Sequence, residues 1–398
     1  MTPFQAAGGG HSSRVAGFSI LSSTLPSAID AVIHSAFHSV LPHPASPGPV
    51  ASPSPLFGFT FITHPSSSIF YSMLPRLLAL LLATTLFAAD APKAKTPAAP
   101  KPPEPPVYLT EKEAIDAGED PRLQGEFAHV KMGANVIALG KGEYRLVLFK
   151  GGLPGAGWDG TPKIEVDGKR EGDAVKFQDK VDSAVLADGV LTIKSTGLGL
   201  KRIIRHSQTE GLPAPKDAIV LFDGKNADAF VDGKVDPRGF LEANTKTKQA
   251  FTDFKLHLEF FLPFKPLGRG QGRANSGLYL QHRYEVQVLD SFGLKGLDNE
   301  CGGIYKNSAP SVNMCFPPLQ WQTYDIDFTA AKFDQEGKKT GSAYVTVRHN
   351  GVVVQDNLEL KGTTPGGAFK TEVPAPGPFY LQGHGNPVVY RNIWVVGK

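Results

Sequence analysis

Short strand-like segments follow one another through residues 216–398, with turn signals between them and no sustained helical period. Asn350 and Gly351 stand between VTVRH and VVVQ, and an Asn-Gly pair in such a place is the strongest short signal for a β-hairpin. This many strands without helices predicts an all-β fold, a β-sandwich or jelly roll. The clearest segments span residues 254–261, 278–281, 284–289, 324–328, 344–349, 352–355, 379–381 and 388–396.

The preceding segment also carries β signals. Thr110 followed by Glu113 is a capping-box pattern, which predicts a short helix that ends near Gly118. We therefore predict a small β-rich accessory domain over residues 108–215, followed by a C-terminal domain over residues 216–398. Its strand-like runs span residues 136–139, 144–149, 163–166 and 190–194, with predicted turns at Asp167-Gly168 and Asp188-Gly189.

Residues 73–89 read MLPRLLALLLATTLFAA and have the form of a secretory signal peptide, with an apolar run too short to span a bilayer. Because such signals stand at the N-terminus, we expect translation to start at Met73 and residues 1–72 to be a misassigned, disordered upstream extension. The alternative is a genuine extension before an internal anchor. Residues 90–107 are an Ala/Pro/Lys linker. We expect an exported protein, periplasmic or extracellular, with no transmembrane segment in the mature chain.

Charge bears on the kind of partner, and cysteine content on whether a disulfide forms. The chain has 41 Lys and Arg against 38 Asp and Glu, a formal charge of +3, and no dense basic block, so nothing favours nucleic acid as a partner. Its two cysteines are Cys301 and Cys315. In an oxidising compartment they either form a disulfide, which would close a loop of about 15 residues and add about 3 kcal/mol, or stay as two free buried thiols. The sequence makes no prediction of the oligomeric state.

The stretch 275–290, NSGLYLQHRYEVQVLD, alternates as a half-buried strand does. Successive strand side chains point to opposite faces, so Glu285 and Gln287 share one face and Tyr284 and Val286 the other. A carboxylate beside an amide suits hydrogen bonding to hydroxyl-rich ligands. The alternative interpretation is an ordinary solvated strand face.

Polar and aromatic side chains that suit a carbohydrate partner occur in three groups. Amides and carboxylates bind hydroxyls, Lys and Arg neutralise oxyanions, and aromatic rings stack on sugar faces. His384 is also consistent with an ordinary loop histidine, and Arg391 with a surface ion pair. The groups are Gln281, Arg283, Glu285, Gln287 and Asp290; then Ile304, Tyr305 and Lys306 with Asn313 and Trp321; then Gln382, His384, Arg391 and Trp394. Asn275, at the start of the stretch 275–290, is a further candidate for substrate binding.

Several motifs occur in an order that resembles the 3-keto-disaccharide hydrolase domain family. They are LFDGK, FTDFKLHLEF, NSGLYL, YEVQVLDS, GGIYK, WQTYDI, HNG and GPFYLQGHGNPVVYRNIW, all within residues 216–398. ECGGIYK, NMCFPPL and the long accessory region are similar to exported planctomycete-type members. The resemblance implies a concanavalin A-like β-sandwich fold and a hydrolase of 3-keto disaccharides. Gly383 stands where many relatives carry an acidic residue before the histidine, which weakens a catalytic role for His384.

The implied reaction starts from the acidity that a C3 ketone gives to the C2 hydrogen. A base removes that proton, the C1 substituent leaves, and water adds to the enone. We assign Glu285 or His384 as the base and Asp290 as its partner or as the acid. Arg391 and Lys306 are the expected oxyanion and hydroxyl donors, and Gln287 and Gln382 are expected to orient the sugar. A divalent metal at the enolate oxygen stays open, since no ligand spacing demands one.

Two other functions fit the same residues. Glu285 and Asp290 have nearly the spacing of the catalytic strand of laminarinase-type retaining glycosidases, which need two carboxyls about 5–5.5 Å apart. A carbohydrate-binding module without catalysis is the other alternative, because sandwich folds serve binding and catalysis alike.

Overall fold

The computed structural model describes residues 104–180 and 182–398. The predicted upstream extension (1–72), the signal peptide (73–89) and residues 90–103 of the predicted linker lie outside the described residues. In the described ranges, no helix has both the length and the apolar character that crossing a membrane requires.

The chain is nearly all β, as predicted, and its strands are short and antiparallel. They are β1 (Gly125–His129), β2 (Met132–Gly140), β3 (Glu143–Lys150), β4 (Ile164–Glu171), β5 (Ala174–Gln178), β6 (Ser183–Ala187), β7 (Val190–Ile193), β8 (Leu198–Ile203), β9 (Ile219–Phe222), β10 (Phe230–Val231), β11 (Leu241–Glu242), β12 (Thr245–Thr247), β13 (Phe254–Phe261), β14 (Ser276–Leu280), β15 (Tyr284–Val288), β16 (Trp321–Thr329), β17 (Lys332–Phe333), β18 (Lys339–Gly341), β19 (Ala343–His349), β20 (Val352–Leu360), β21 (Tyr380–Leu381) and β22 (Val389–Gly397).

A short helix, α1 (Glu111–Asp116), precedes the first strand. The Thr110 side chain accepts a hydrogen bond from the Glu113 backbone N–H at 3.2 Å. The Glu113 carboxylate in turn accepts one from the Leu109 N–H at 2.7 Å. These contacts satisfy free N–H groups at the start of the helix, and the predicted N-terminal cap is confirmed.

Strands β1–β8 form a closed barrel in chain order. Apolar side chains such as Phe127, Phe177 and Leu191 fill its interior. Asp188 and Gly189 both have positive φ, 49° and 73°, and form the predicted turn between β6 and β7. The predicted turn at Asp167-Gly168 is wrong. Both residues lie inside β4, where Gly168 leaves room for the Phe177 ring, which a Cβ atom would meet at 2.4 Å.

Two antiparallel sheets pack face to face over the C-terminal half and form a β-sandwich. We call the sheet of order β10-β12-β21-β14-β15 the front sheet, and the sheet that contains β9, β11, β13, β16, β19, β20 and β22 the back sheet. The inner faces share one apolar core, to which the front sheet contributes Val286 and the back sheet Phe328. The Tyr324 hydroxyl of the back sheet donates to the Gln287 carbonyl of the front sheet at 2.6 Å.

The barrel packs directly on the sandwich. Ile137 of the barrel belongs to the same apolar core and lies so close to Gly293 that a Cβ atom there would come within 2.3 Å of it. Arg205, just after β8, forms a bidentate ion pair with Glu126 of β1 at 2.6 and 2.8 Å. The segment that leads from the barrel into the sandwich is therefore anchored at its start.

Candidate active site

A polar cavity of about 230 Å³ lies on the outer face of the front sheet. We call it the Glu285 cavity. Strands β14 and β15 supply its floor, and four connecting segments, around Gln271, Tyr305, Pro365 and His384, supply its walls. It is lined by Gln271, Asn275, Tyr279, Glu285, Gln287, Tyr305, Pro365, Gly366, Gln382 and His384.

Glu285 is 2% exposed and stands opposite Tyr279 in the β14–β15 pair. The Tyr279 hydroxyl donates a hydrogen bond to its carboxylate at 2.6 Å. Burial raises the pKa of Glu285 to about 7, because loss of hydration outweighs the Tyr279 hydrogen bond, which acts to lower it. A carboxyl with this pKa exists in both protonation states near neutral pH and can therefore take and return a proton.

Two glycines make room for this pair. A Cβ atom on Gly277 would lie 2.4 Å from Oε1 of Glu285, and one on Gly366 would lie 2.4 Å from the Tyr279 hydroxyl. Gln382 donates to the same hydroxyl from Nε2 at 3.2 Å. Burial and the adjacent Glu285 raise the pKa of Tyr279 far above its usual range, so the hydroxyl stays protonated.

An amide network forms another part of the cavity. Nδ2 of Asn275 donates to the backbone and side-chain oxygens of Gln271 at 3.0 and 3.2 Å. Nε2 of Gln287 donates to the Gln271 side-chain oxygen at 3.0 Å. These bonds fix the amide orientations and leave Oδ1 of Asn275 buried, with no hydrogen-bond partner among the described residues. Because Asn275 itself lines the cavity, this unpaired acceptor lies beside the space that a ligand would occupy.

His384 lies at the rim of the cavity and is exposed. The glycine before it is explained by Asn244, because a Cβ atom on Gly383 would lie 2.5 Å from the Asn244 Cβ. An acidic side chain at position 383 would require this neighbouring loop to move.

Asp290, assigned from the sequence as partner or acid, does not reach the cavity. It is fully buried, and its carboxylate accepts hydrogen bonds from Nε of Arg273 at 2.7 Å and from the Phe292 N–H at 3.3 Å. Arg273 also donates to the Ala138 carbonyl of the barrel at 3.2 Å. The carboxylate therefore neutralises a buried arginine next to the barrel.

Gln281 and Arg283, expected to bind substrate, hold neighbouring segments together instead. Arg283 donates to the Gln281 side chain at 2.9 Å and to the Thr371 and Ala375 carbonyls at 3.3 and 3.1 Å. Gln281 donates to the Phe251 carbonyl at 2.9 Å. Both are buried: Arg283 fastens the loop that follows β20, and Gln281 the segment before β13, to the connection between β14 and β15.

Trp321 and Arg391 lie on the outer face of the back sheet, on the opposite side of the sandwich from Glu285. The Arg391 guanidinium lies 3.9 Å from the centre of the Trp321 ring and pairs with Glu259 at 2.6 Å. Lys306 follows the cavity residue Tyr305 but is exposed and does not line the cavity. None of the three is placed to donate to an oxyanion at Glu285.

Cys301 and Cys315 are both buried and both free, so the disulfide that the sequence left open is not formed. Each thiol has its own oxygen neighbour, the Tyr324 hydroxyl at 3.2 Å for Cys301 and the Leu289 carbonyl at 3.5 Å for Cys315. In the part of the chain that the structure describes, no group of three or more His, Cys, Asp or Glu side chains is arranged to hold a metal ion.

The structure adds Tyr279 and Gln271 to the site. Tyr279 had a sequence signal, because a three-residue connection at 281–283 between two alternating strands pairs position 279 with position 285. Gln271 had none, since it lies in an isolated 3₁₀ turn, Gly270–Gly272, whose position depends on the tertiary fold.

Comparisons with known proteins cover the C-terminal half. The family model described as "3-keto-alpha-glucoside-1,2-lyase-like domain" matches residues 217–396. A solved structure described as a "putative glycosyl hydrolase" from Parabacteroides distasonis ATCC 8503 is 39% identical over 46% of this chain and 85% of its own, with a TM-score of 0.43. Two more from that organism, described in the same words, are 16% and 20% identical over 46% of this chain and 94% and 99% of their own, with TM-scores of 0.34 and 0.33. No curated protein matches the chain.

Proposed function

Since the chain belongs to the 3-keto-alpha-glucoside-1,2-lyase-like family, as its ordered motifs predicted, we propose that it is a hydrolase of 3-keto disaccharides that acts by elimination and hydration. The observation that supports this most directly is Glu285, a buried carboxyl with a pKa raised to about 7 by burial, at the floor of a polar cavity. A base poised near neutral pH suits removal of a proton next to a ketone.

In this mechanism the Glu285 carboxylate takes the proton from C2 of the 3-keto sugar, and the electron pair becomes an enolate. The enolate reforms the ketone as the C1–O bond breaks, which leaves a C1=C2 double bond and places the electron pair on the leaving oxygen. His384, exposed at the rim, is the residue we assign to donate a proton to that oxygen. Water then adds its hydroxyl to C1 and gives its other proton to His384, while Glu285 returns a solvent-exchanged proton to C2, and the net reaction is hydrolysis.

Neutral groups hold the sugar in this proposal. The free Oδ1 of Asn275 accepts from a sugar hydroxyl. The Tyr305 hydroxyl and the second N–H of the Gln382 amide are the donors available to the enolate oxygen. Tyr279 acts through Glu285 and is a positioning residue.

The described residues supply no second carboxyl at the cavity for a two-carboxylate glycosidase. Among the described residues that line the cavity, Glu285 alone is acidic, and Asp290 is engaged with Arg273. Such an enzyme requires two carboxyls on either side of the scissile bond.

We also propose two further properties. The family resemblance supports a sandwich of the concanavalin A-like type, and the signal-peptide pattern of residues 73–89 supports export of the protein.

The test is an assay of the purified protein on a 3-keto disaccharide and on the same disaccharide without the ketone. We expect the keto substrate alone to be cleaved, and in heavy water we expect deuterium at C2 of the product. Glu285→Gln should lower kcat/KM by about 10²–10⁴, whereas the exposed control Glu336→Gln should change nothing. Cleavage of the unoxidised sugar, or full activity of Glu285→Gln, would contradict the proposal. Binding without any new reducing sugar would identify a binding module instead.

A further inference from the structure

We propose that a second cavity on the same sheet face binds the leaving sugar of the substrate. We call it the Tyr380 cavity; its volume is about 670 Å³. The inference rests on the proposed function, because that function places the keto ring at Glu285. The cavity is lined by Val231, Asp232, Lys234, Glu242, Ala243, Asn244, Thr245, Lys246, His282, Gly366, Ala368 and Tyr380.

Strand register places both cavities along one line. Residues directly opposite each other share a face of a sheet, and the pairs Lys246–Tyr380, Tyr380–Tyr279 and Tyr279–Glu285 are all directly opposite. At about 4.8 Å per strand, Tyr380 lies about 10 Å from Glu285 across the sheet and Lys246 about 14 Å. Gly366 lines both cavities, so they adjoin.

Volume indicates that the Glu285 cavity does not hold a whole disaccharide. Pockets for small molecules commonly measure about 300–1,000 Å³. The Glu285 cavity, at about 230 Å³, falls below this range, whereas the Tyr380 cavity, at about 670 Å³, lies within it. A substrate of two rings therefore requires both.

The lining of the Tyr380 cavity suits a neutral, hydroxyl-rich ring. The half-buried Tyr380 ring stacks on His282 with centres 4.4 Å apart, and it offers a platform for a sugar face. Asn244 and Lys246 add exposed polar groups on either side. The lining contains two lysines, Lys234 and Lys246, and two carboxylates, Asp232 and Glu242. Their charges balance in number, which favours a neutral ligand over an ionic one.

Burial, with Lys246 and Lys370 nearby, lowers the pKa of His282 to about 4. The ring is therefore neutral at physiological pH and has both a donor and an acceptor nitrogen for hydroxyl groups. This state agrees with the polar, uncharged character expected of the subsite.

The test compares two keto substrates with the same first ring, a 3-keto disaccharide and methyl 3-keto-glucoside. Lys246 is exposed, so Lys246→Ala and the cavity-filling Lys246→Trp should both fold. We expect kcat/KM for the disaccharide to fall about 10-fold or more in both variants. The methyl glycoside, which lacks the second sugar, should be cleaved at the wild-type rate. Lys201→Ala and Lys201→Trp, at an exposed lysine of the barrel strand β8, are the matched controls.

An equal loss on both substrates, or no loss on either, would overturn the subsite. If the wild type cleaves neither keto substrate, the proposed function fails, and calorimetry with the unoxidised disaccharide then tests the subsite alone. Weaker binding by Lys246→Trp than by Lys201→Trp would support it, and equal binding would overturn it.

Discussion

At the scale of single residues, the site depends on two opposing influences on one carboxyl. Burial raises the pKa of Glu285 to about 7, and the Tyr279 hydrogen bond acts in the other direction. The hydroxyl therefore limits how far burial can raise the pKa, and it bonds Oε2 of the carboxylate rather than Oε1. The pKa of the base therefore depends on Tyr279, and the pH dependence of the reaction should reflect both residues.

We predict that the rising limb of the wild-type pH profile of kcat/KM has its midpoint near 7, because only the ionised Glu285 accepts the C2 proton. Tyr279→Phe removes the bond that stabilises the carboxylate. A hydrogen bond to a charged group is worth about 1.5–3 kcal/mol, and one pKa unit is 1.36 kcal/mol, so the midpoint should move up by about one to two units. The measurement is the full pH–rate profile of both proteins.

The matched control is Tyr344→Phe, at a half-buried tyrosine of β19 in the back sheet, which should leave the midpoint in place. A purely structural role for Tyr279 would lower the rate at every pH without moving the midpoint. That result would remove Tyr279 from the mechanism.

At the scale of elements, alternation within one strand was readable from the sequence. Glu285 and Gln287 lie in the cavity while Val286 and Val288 lie in the core, because side-chain direction in a strand depends only on position along it. The hairpin at Asn350-Gly351 was likewise predictable from the local sequence. Asn350 has φ 51° and Gly351 has φ 85°, the two positive values that a type I′ turn requires.

The alternation pattern did not predict which sheet each strand joins. Arg391 and Trp321 belong to segments with the expected residue types, but β22 and β16 lie in the back sheet and turn these side chains away from Glu285. Asp290 lies beyond the end of β15, where alternation no longer applies, and its arginine partner is distant in sequence. Long-range pairing, rather than local pattern, decides these positions.

The back sheet has a polar network of its own beneath the segment that connects barrel and sandwich. His257 is fully buried and bonded to Asp325 at 2.7 Å. Glu259 accepts from the Gly211 N–H of the connecting segment at 2.6 Å, and Arg391 pairs with both Glu259 and Glu210 of that segment. This network fastens the connection to the sheet.

We predict that this network makes stability depend on pH. Burial acts to lower the pKa of His257, but Asp325 and Glu259 outweigh it and raise the pKa above its usual value near 6.5. The stabilising contribution is thus complete below about pH 6.5 and is lost as pH rises through the raised folded-state pKa. His257→Gln should cost about 1–3 kcal/mol of unfolding free energy at pH 6 and clearly less at pH 9.

Denaturant unfolding at both pH values measures this difference, with exposed His129→Gln as the control.

The same network weakens in acid for a separate reason. Although burial acts to raise the pKa of Glu259, its hydrogen bonds with His257, Asn392, Arg391 and Gly211 lower it to about 2. The stabilisation that Glu259 contributes is present above about pH 4.5 and is lost as pH falls toward 2. A cost of His257→Gln that is the same at pH 6 and pH 9 would show that the histidine is neutral in the folded protein.

At the scale of the whole molecule, barrel and sandwich share an apolar core and hydrogen bonds from charged side chains to backbone carbonyls. Ile137 and Phe149 of the barrel lie in the same apolar cluster as the core of the sandwich. Lys163 of the barrel side donates to the Leu294 carbonyl at 2.8 Å, and Arg273 of the sandwich donates to the Ala138 carbonyl at 3.2 Å. Arg273 is also the partner of Asp290, close in sequence to the cavity residues Gln271 and Asn275, so the barrel supports one wall of the site.

We therefore predict that barrel and sandwich unfold together in a single calorimetric transition. Leu191→Ala, deep in the barrel and outside the shared cluster, provides the decisive comparison. Leu→Ala changes in cores cost about 2–5 kcal/mol, and 1 kcal/mol lowers Tm by about 1.5 °C when roughly 300 residues unfold together with an entropy of about 2.1 cal/mol/K per residue. If the barrel is coupled to the sandwich, the whole transition should move down by several degrees and remain single. A separate, earlier transition for the barrel, with the rest unchanged and activity retained above it, would show that the Glu285 cavity does not depend on the barrel.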